Sequence, residues 1–150
     1  MLRDVLSTNP DWTLTIIRIL LGVVFFAHGA QKLLGWYGGP GLKETMRTMR
    51  DFLGLPFPVA FAAVATEFFG GVGLIVGLLS RVAAVGIGVT MLFAIVLVHG
   101  RNGLFMDWFG ARKGHGYEYH LLAIALAIVL VVKGSGAVSL DRLWFNSMGV

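Results

Sequence analysis

The chain has 150 residues, 57% of them apolar and only 13% charged, with a mean hydropathy of +0.81, a balance too apolar for an ordinary soluble domain and expected of a membrane protein. Cysteine is absent, which excludes disulfides, thiolate metal ligands and a dithiol relay within the chain, so the electrons of any redox reaction must pass through a bound cofactor or a partner. The net charge of +4 comes from basic residues scattered over membrane-edge positions, which suits anionic lipid headgroups and not nucleic acid.

Four apolar runs of about 20 residues would use roughly 80 positions and leave short loops. The expected fold over 1–150 is therefore a single all-α unit, an integral membrane four-helix antiparallel bundle. Leu14 to Leu34 forms the first span, with Trp12 before it and Trp36 and Tyr37 after it as interfacial aromatics. Ala27, His28, Gly29 and Ala30 have the small-x-small spacing of a signal-peptide cleavage site. Asp4, Pro10 and Asp11 beside Arg3, and Arg18 inside the apolar run, are foreign to a signal peptide, so the segment is expected to be retained.

Gly38, Gly39, Pro40 and Gly41 break the first helix. From Leu42 to Leu53, the side chains of Leu42, Met46, Met49 and Leu53 share one side, while Lys43, Glu44, Arg47, Arg50 and Asp51 lie mostly elsewhere. This is the pattern of a short amphipathic helix, on the membrane surface, over the bundle, or solvated. Pro56 and Pro58 end it. Val59 to Leu79 is the second span, Ser80 and Arg81 turn the chain, and Val82 to Val98 is the third.

His99 to Gly116 reads as a glycine-rich loop carrying Arg101, Phe105, Trp108, Phe109, Arg112 and Lys113. Tyr117 to Val132, the shortest run, is the fourth span. Ser139, Leu140 and Asp141 then look like the N-cap of a short terminal helix.

Small residues recur where helices must approach: Gly73 with Gly77 on the second span, and Ala84 with Gly88 on the third, are predicted helix contacts. No internal repeat is visible, which disfavours an inverted-repeat transporter. Four spans place both termini on one face, here called face A. Arg3, Arg81, Lys133 and Arg142 belong to it, against Lys43, Arg47, Arg50, Arg101, Arg112 and Lys113 on face B. The balance leans towards a cytoplasmic face B but is too even to fix the orientation.

Ionisable residues inside the apolar runs are expensive there and mark function. At ~1.5 Å per residue, His28 lies about 9 Å and Lys32 about 3 Å from the face-B end of the first span, and Glu67 about 12 Å from the start of the second. His99 closes the third span and Glu118 and His120 open the fourth, again at face B. His28, Lys32, Glu67, His99, Glu118 and His120 are therefore the candidate ligand-binding residues.

His28 and Lys32, four apart, share a face, and either could pair with Glu67; Lys32 could instead snorkel to water. Glu118 and His120, two apart, cannot both point inward, so one of them is interfacial. His115 is expected in the loop, and His99 could serve only the helix dipole. Donors for carbonyl oxygens beside a proton path would suit a quinone. A metal set drawn from His28, Glu67, His99 and Glu118 or His120 lacks any His-x-x-x-His or Glu-x-x-His spacing, so no metal is assigned. No phosphate loop, nucleophile elbow or dinucleotide fingerprint is present.

Phe26 to Leu33 (FAHGAQKL), Glu67 to Gly71 (EFFGG), Gly77 to Arg81 (GLLSR) and Gly136 to Asp141 (GAVSLD) occur in an order that resembles the DoxX family of four-span bacterial membrane proteins. The resemblance runs through nearly the whole chain. It implies a multi-pass protein of the bacterial inner membrane, in a group associated with thiosulfate:quinone oxidoreduction, oxidative-stress complexes, or catechol and quinone detoxification. By position it singles out His28, Lys32, Glu67 and Arg81 as family-defining polar residues; Gly29, Gly70, Gly71, Ser139 and Asp141 within the motifs, and Arg18 inside the first span, are taken as structural or motif positions. It gives no catalytic residue.

Two functional readings are open at this point. One is a bundle with a quinone-linked or redox-associated role, its cofactor or ligand a quinone, working with an oxidoreductase subunit or as a homo-oligomer in the lipid bilayer. The other is a non-catalytic scaffold or assembly partner of an oxidoreductase complex, whose charges bind a partner helix.

Overall fold

The computed structural model describes residues 5–110 and 114–147; Arg3, Arg112 and Lys113 of the charge count above, and Asp4 beside Arg3, lie outside that range. Besides helical residues 5–6, six α-helices succeed one another among the described residues: α1 (Trp12–Leu34), α2 (Gly41–Leu53), α3 (Phe57–Val76), α4 (Ser80–Ala94), α5 (Glu118–Lys133) and α6 (Leu140–Ser147). No strand occurs among the described residues. The protein is an all-α membrane protein. Three helical stretches, Trp12–Leu34, Phe57–Val76 and Ser80–Asn102, are long and apolar enough to cross a bilayer. The fourth long helix, α5, has 16 residues and rises about 24 Å, somewhat less than the ~30 Å of a hydrocarbon core.

Helix boundaries reflect local chemistry. Asp11 caps α1 by accepting from the Thr13 N–H at 2.7 Å, and the left-handed Gly35 ends the helix. Pro56 and Pro58 open α3, where proline costs no intrahelical hydrogen bond. The third expected span does not stop at Val98: α4 continues through one π turn, Ile95–His99, and a 3-10 turn, Gly100–Asn102. The second stops short of Leu79, because Gly77 adopts φ 74° and its N–H, with that of Leu78, bonds back to the Gly73 carbonyl. Gly73 and Gly77 are thus a helix stop and not the interhelical pair the spacing suggested. A side chain at Gly77 would also strike the Arg18 guanidinium, 2.9 Å away.

The long helices pack in a ring, α1 on α3, α3 on α4, α4 on α5, with the α5–α1 seam the slightest of the four. Leu21, Phe25, Leu74, Ile87, Met91 and Leu130 fill the centre. The outer apolar side chains, such as Ile16, Leu20, Val85 and Leu122, face outward as a lipid-facing surface would. Backbones come closest between α1 and α3. A methyl group built on Gly22 would lie 2.8 Å from the Ile75 nitrogen and 2.9 Å from the Gly71 carbonyl. One on Gly29 would collide with the Phe68 backbone, and one on Gly71 with that of Phe26. Gly88 does face Ala127 on α5, as its small-residue pairing with Ala84 suggested, with room to spare at 3.7 Å.

Face A is closed by a polar network. Arg18, only 1% exposed, donates to the carbonyls of Leu74 and Ile75 at the end of α3, and to those of Ser135 (2.9 Å) and Val138 (2.6 Å) beyond α5. Asp141, with no exposed surface, accepts from the Leu79 N–H at 2.6 Å, the Ser80 N–H at 2.9 Å and the Ser135 hydroxyl. It therefore caps the start of α4 from a different helix. Arg81 reaches across to the Val131 and Val132 carbonyls at the end of α5 and to Ser7. Ser139 caps α6 as expected, accepting from the Arg142 N–H at 3.2 Å. Because the start of α1 meets the end of α3, and the start of α4 the end of α5, neighbouring long helices run antiparallel.

Two adjacent glycines separate packing from mere small size. Gly71→Ala forces a methyl into the α1 backbone and is expected to cost about 1–3 kcal/mol or more, as overpacking does. Gly70→Ala meets nothing closer than the Ile87 Cδ1 at 3.6 Å and is expected to be nearly neutral. Thermal melting of the two variants in one detergent checks the pair; equal midpoints would refute the α1–α3 register.

Candidate functional site

At face B the four helices bring ionisable groups into the bundle. Glu67 lies about 15 Å from the start of α3 at Phe57 and is 4% exposed. Both its oxygens accept from the Lys32 ammonium, at 2.7 and 2.6 Å. Lys32 therefore turns inward along its stem and does not snorkel; its side chain keeps 31% exposure. The end of α1 is held by α2, whose buried Thr45 hydroxyl donates to the Lys32 carbonyl at 3.2 Å. The amphipathic α2 is thus packed over the ends of α1 and α3, with Leu42, Met46, Met49 and Leu53 half-buried and Lys43, Glu44, Arg47, Arg50 and Asp51 exposed.

The other predicted residues divide. His28 is exposed and makes no bond to Glu67; its ring lies 6.3 Å from that of Tyr119 across the α1–α5 seam. His120 is 6% exposed and faces inward, its ring 4.2 Å from that of His99. Glu118 is the interfacial member of its pair: its carboxylate accepts from the Met106 N–H at 2.9 Å and the Trp108 indole at 3.3 Å. It holds down the start of the 103–110 loop, which is further tied where Gly116, Tyr117 and Glu118 donate to the carbonyls of Phe105, Gly103 and Leu104. His115 is an exposed loop residue, and its carbonyl accepts from His99 Nδ1 at 2.8 Å and from Asn102 at 3.0 Å.

Of the six candidates, Lys32, Glu67, His99 and His120 converge inside the bundle, His28 stands at its opening, and Glu118 serves the loop. The motif residues Arg18, Arg81, Ser139 and Asp141 are all at face A, Gly29 and Gly71 are helix contacts, and Gly70 faces α4. Among the described residues no three His, Asp or Glu side chains come together as a metal set.

Tyr119 was missed. Its hydroxyl oxygen is buried, has no hydrogen-bond partner among the described residues, and lies within electrostatic reach of Glu67. The signal was present: if Glu118 and His120 point to different sides, the residue between them points to a third, towards α1. His120 Nδ1 is likewise buried without a partner among the described residues. A buried polar atom left unpaired costs about 1–3 kcal/mol, and Tyr119 and His120, adjacent on α5, each carry one among the described residues. Two apolar grooves, about 540 Å³ between α3 and α4 and about 300 Å³ between α4 and α5, lie elsewhere on the bundle and have no ionisable lining.

Comparison with known proteins agrees with this architecture. The DoxX family model matches residues 13–100. "Putative oxidoreductase CatD" of Bacillus subtilis is 30% identical over 133 residues, covering 87% of this chain and 86% of that protein. "Uncharacterized membrane protein Rv3486" of Mycobacterium tuberculosis is 35% identical, covering 91% and 90%, and an uncharacterised protein of Haemophilus influenzae is 30% identical, covering 94% and 97%. No solved structure gives a significant match.

Removing one charge of the Lys32–Glu67 pair strands the other in an apolar bundle. Lys32→Met is expected to cost about 3 kcal/mol, the low end for a buried pair because Lys32 is partly exposed, and the Lys32→Met/Glu67→Met double variant distinctly less. A denaturation series on the two single variants and the double variant checks this; a double variant less stable than either single variant would argue against the pair.

Proposed function

The chain belongs to the DoxX family of membrane proteins, and we propose that its face-B half binds a membrane-soluble, quinone-like ring in redox chemistry shared with an electron-transferring partner. We place it as a multi-pass protein of the bacterial inner membrane, as the bacterial sources of its relatives suggest.

The observation that carries the reading is the unpartnered Tyr119 hydroxyl beside the Lys32–Glu67 pair, at the loosest seam of the bundle. A phenolic O–H is a donor for a ring carbonyl, and a neutral ion pair admits a neutral ring without adding net charge. His28 stands exposed across from Tyr119, where it can meet the ring at the seam. Reduction of a quinone to a hydroquinone takes two electrons and two protons. The protons come from titratable groups such as these; the electrons come from the partner, and with no cysteine the chain itself holds no dithiol to relay them. The name of the Bacillus subtilis relative points the same way.

The scaffold reading explains the ion pair but not the neighbouring unpaired atoms. Titrating a short-chain quinone into protein in detergent and in lipid nanodiscs separates the two. Saturable binding is expected. Tyr119→Phe should weaken it by about 1–1.4 kcal/mol, close to tenfold in Kd, while raising the ligand-free melting midpoint, since it removes a buried unpaired hydroxyl. His28→Ala should weaken binding while leaving the fold intact. No binding in either medium, together with a stoichiometric co-purifying subunit, would overturn the site and leave a scaffold.

A further inference from the structure

We infer that His99 and His120 form a two-imidazole proton relay connecting the interior of the face-B site to water on face B. The inference rests on the reading of that half as a place where protons are taken up or released, but its test uses no ligand.

The geometry is specific. The rings are 4.2 Å apart between centroids and tilted by 38°, so they are in contact. His120 is inside the bundle, 6% exposed, with Nδ1 unpartnered among the described residues. A histidine serving only as packing in an apolar core would need that nitrogen matched. His99 is half-buried at the rim, and its Nδ1–H donates to the His115 carbonyl at 2.8 Å. That bond fixes the neutral tautomer, so Nε2 of His99 carries the lone pair that can accept and return a proton.

The backbone makes a special provision for this contact. His99 ends the π turn Ile95–His99, where the Gly100 N–H bonds to the Ile95 carbonyl. An inserted residue of this kind rotates the next part of the helix by about 100° relative to a continuous α-helix. His99 is thereby set against α5, where plain α-helical register would aim it elsewhere.

Charged and titratable neighbours act on His120 from each side. Lys32 comes from α1, His99 from the extension of α4 and Tyr119 from its own helix, with its ring 5.5 Å away. Glu67 on α3 lies behind Lys32 as its counter-ion. The step is a transfer only: Nε2 of His99 takes a proton from face-B water and gives it to one ring nitrogen of His120, and the other ring nitrogen of His120 gives its proton to a water or ligand oxygen beside the Tyr119 hydroxyl. Both imidazoles end neutral, His120 as its other tautomer until its ring turns over or the transfer reverses, and no electron moves.

Full-length protein with 15N-labelled histidine in nanodiscs tests the relay by the exchange of the His120 ring N–H with water. His99→Phe fills the same space but carries no proton, and is expected to slow that exchange about a hundredfold, the scale of a lost general acid–base group. Lys43→Ala, which removes an exposed charge on α2 at the same face, is expected to leave it unchanged. Exchange unaltered in His99→Phe, or slowed equally in Lys43→Ala, overturns the relay. If His99→Phe does not fold, His99→Gln, which keeps a donor for His115, tests the same step. None of these outcomes depends on quinone binding, so the relay and the ligand site fail separately.

Discussion

A bilayer offers no water to the ends of helices, and the buried guanidinium of Arg18 is where this fold meets that constraint. A carbonyl at a helix C-terminus has no intrahelical partner, and inside hydrocarbon each one left bare costs several kcal/mol. Arg18 serves the end of α3 and the chain beyond α5 together, from within α1. Its own charge is balanced by Asp141, which faces the opposite problem, the bare amides at the start of α4. Arg81 repeats the arrangement for the end of α5. The helix ends at face A are thus finished by side chains from other helices, which fixes their relative positions and not merely their individual lengths.

Face B is built the other way. Its polar groups are not all matched: Lys32 is matched to Glu67, Thr45 to the Lys32 carbonyl, and Glu118 to the loop, while Tyr119 and His120 each keep a buried polar atom without a partner among the described residues. The slight contact between α1 and α5 leaves the seam at which His28 and Tyr119 face one another. A bundle clamped at one end and less fully paired at the other can admit a ligand without losing its register.

Much of this was legible in the sequence, for identifiable reasons. Helix rise puts Glu67 at a depth nearer to His28 than to Lys32, so counting offered both as partners, and it is the long Lys32 side chain that reaches the carboxylate. The inward aim of His28 was not borne out by the same count. The buried stripe of α1 runs Leu14, Arg18, Leu21, Phe25 and Gly29, and Lys32 continues it, whereas His28 sits roughly 60° from the Phe25 direction at its edge. The face-A network was visible only as separate caps and lone arginines, because its bonds join positions as distant as Arg18 and Ser135. The π turn before His99 left no trace, since Ile95, Val96, Leu97 and Val98 simply continue an apolar run. One of the two predicted helix contacts was misassigned for a related reason. Gly73 and Gly77 have the expected spacing, but spacing does not say which glycine must adopt a positive φ, and Gly77 does.

The distinction between a register device and a working site turns on matching. A buried ion pair can exist solely to fix how helices align, and Lys32–Glu67 taken alone would satisfy that account. Such a device gains nothing from unmatched neighbours, because every unpaired buried atom subtracts from the stability it exists to provide. Tyr119 and His120 are adjacent on one helix, both close to the pair, and both incompletely bonded among the described residues. At face A, where the task is purely structural, Arg18 and Asp141 spend their polar atoms on backbone groups, and a single serine hydroxyl, that of Ser80, is left over. The same chain thus shows what it does with buried charge when only the fold is at stake, and face B departs from that practice at the residues where a proton or a ring oxygen would be handled.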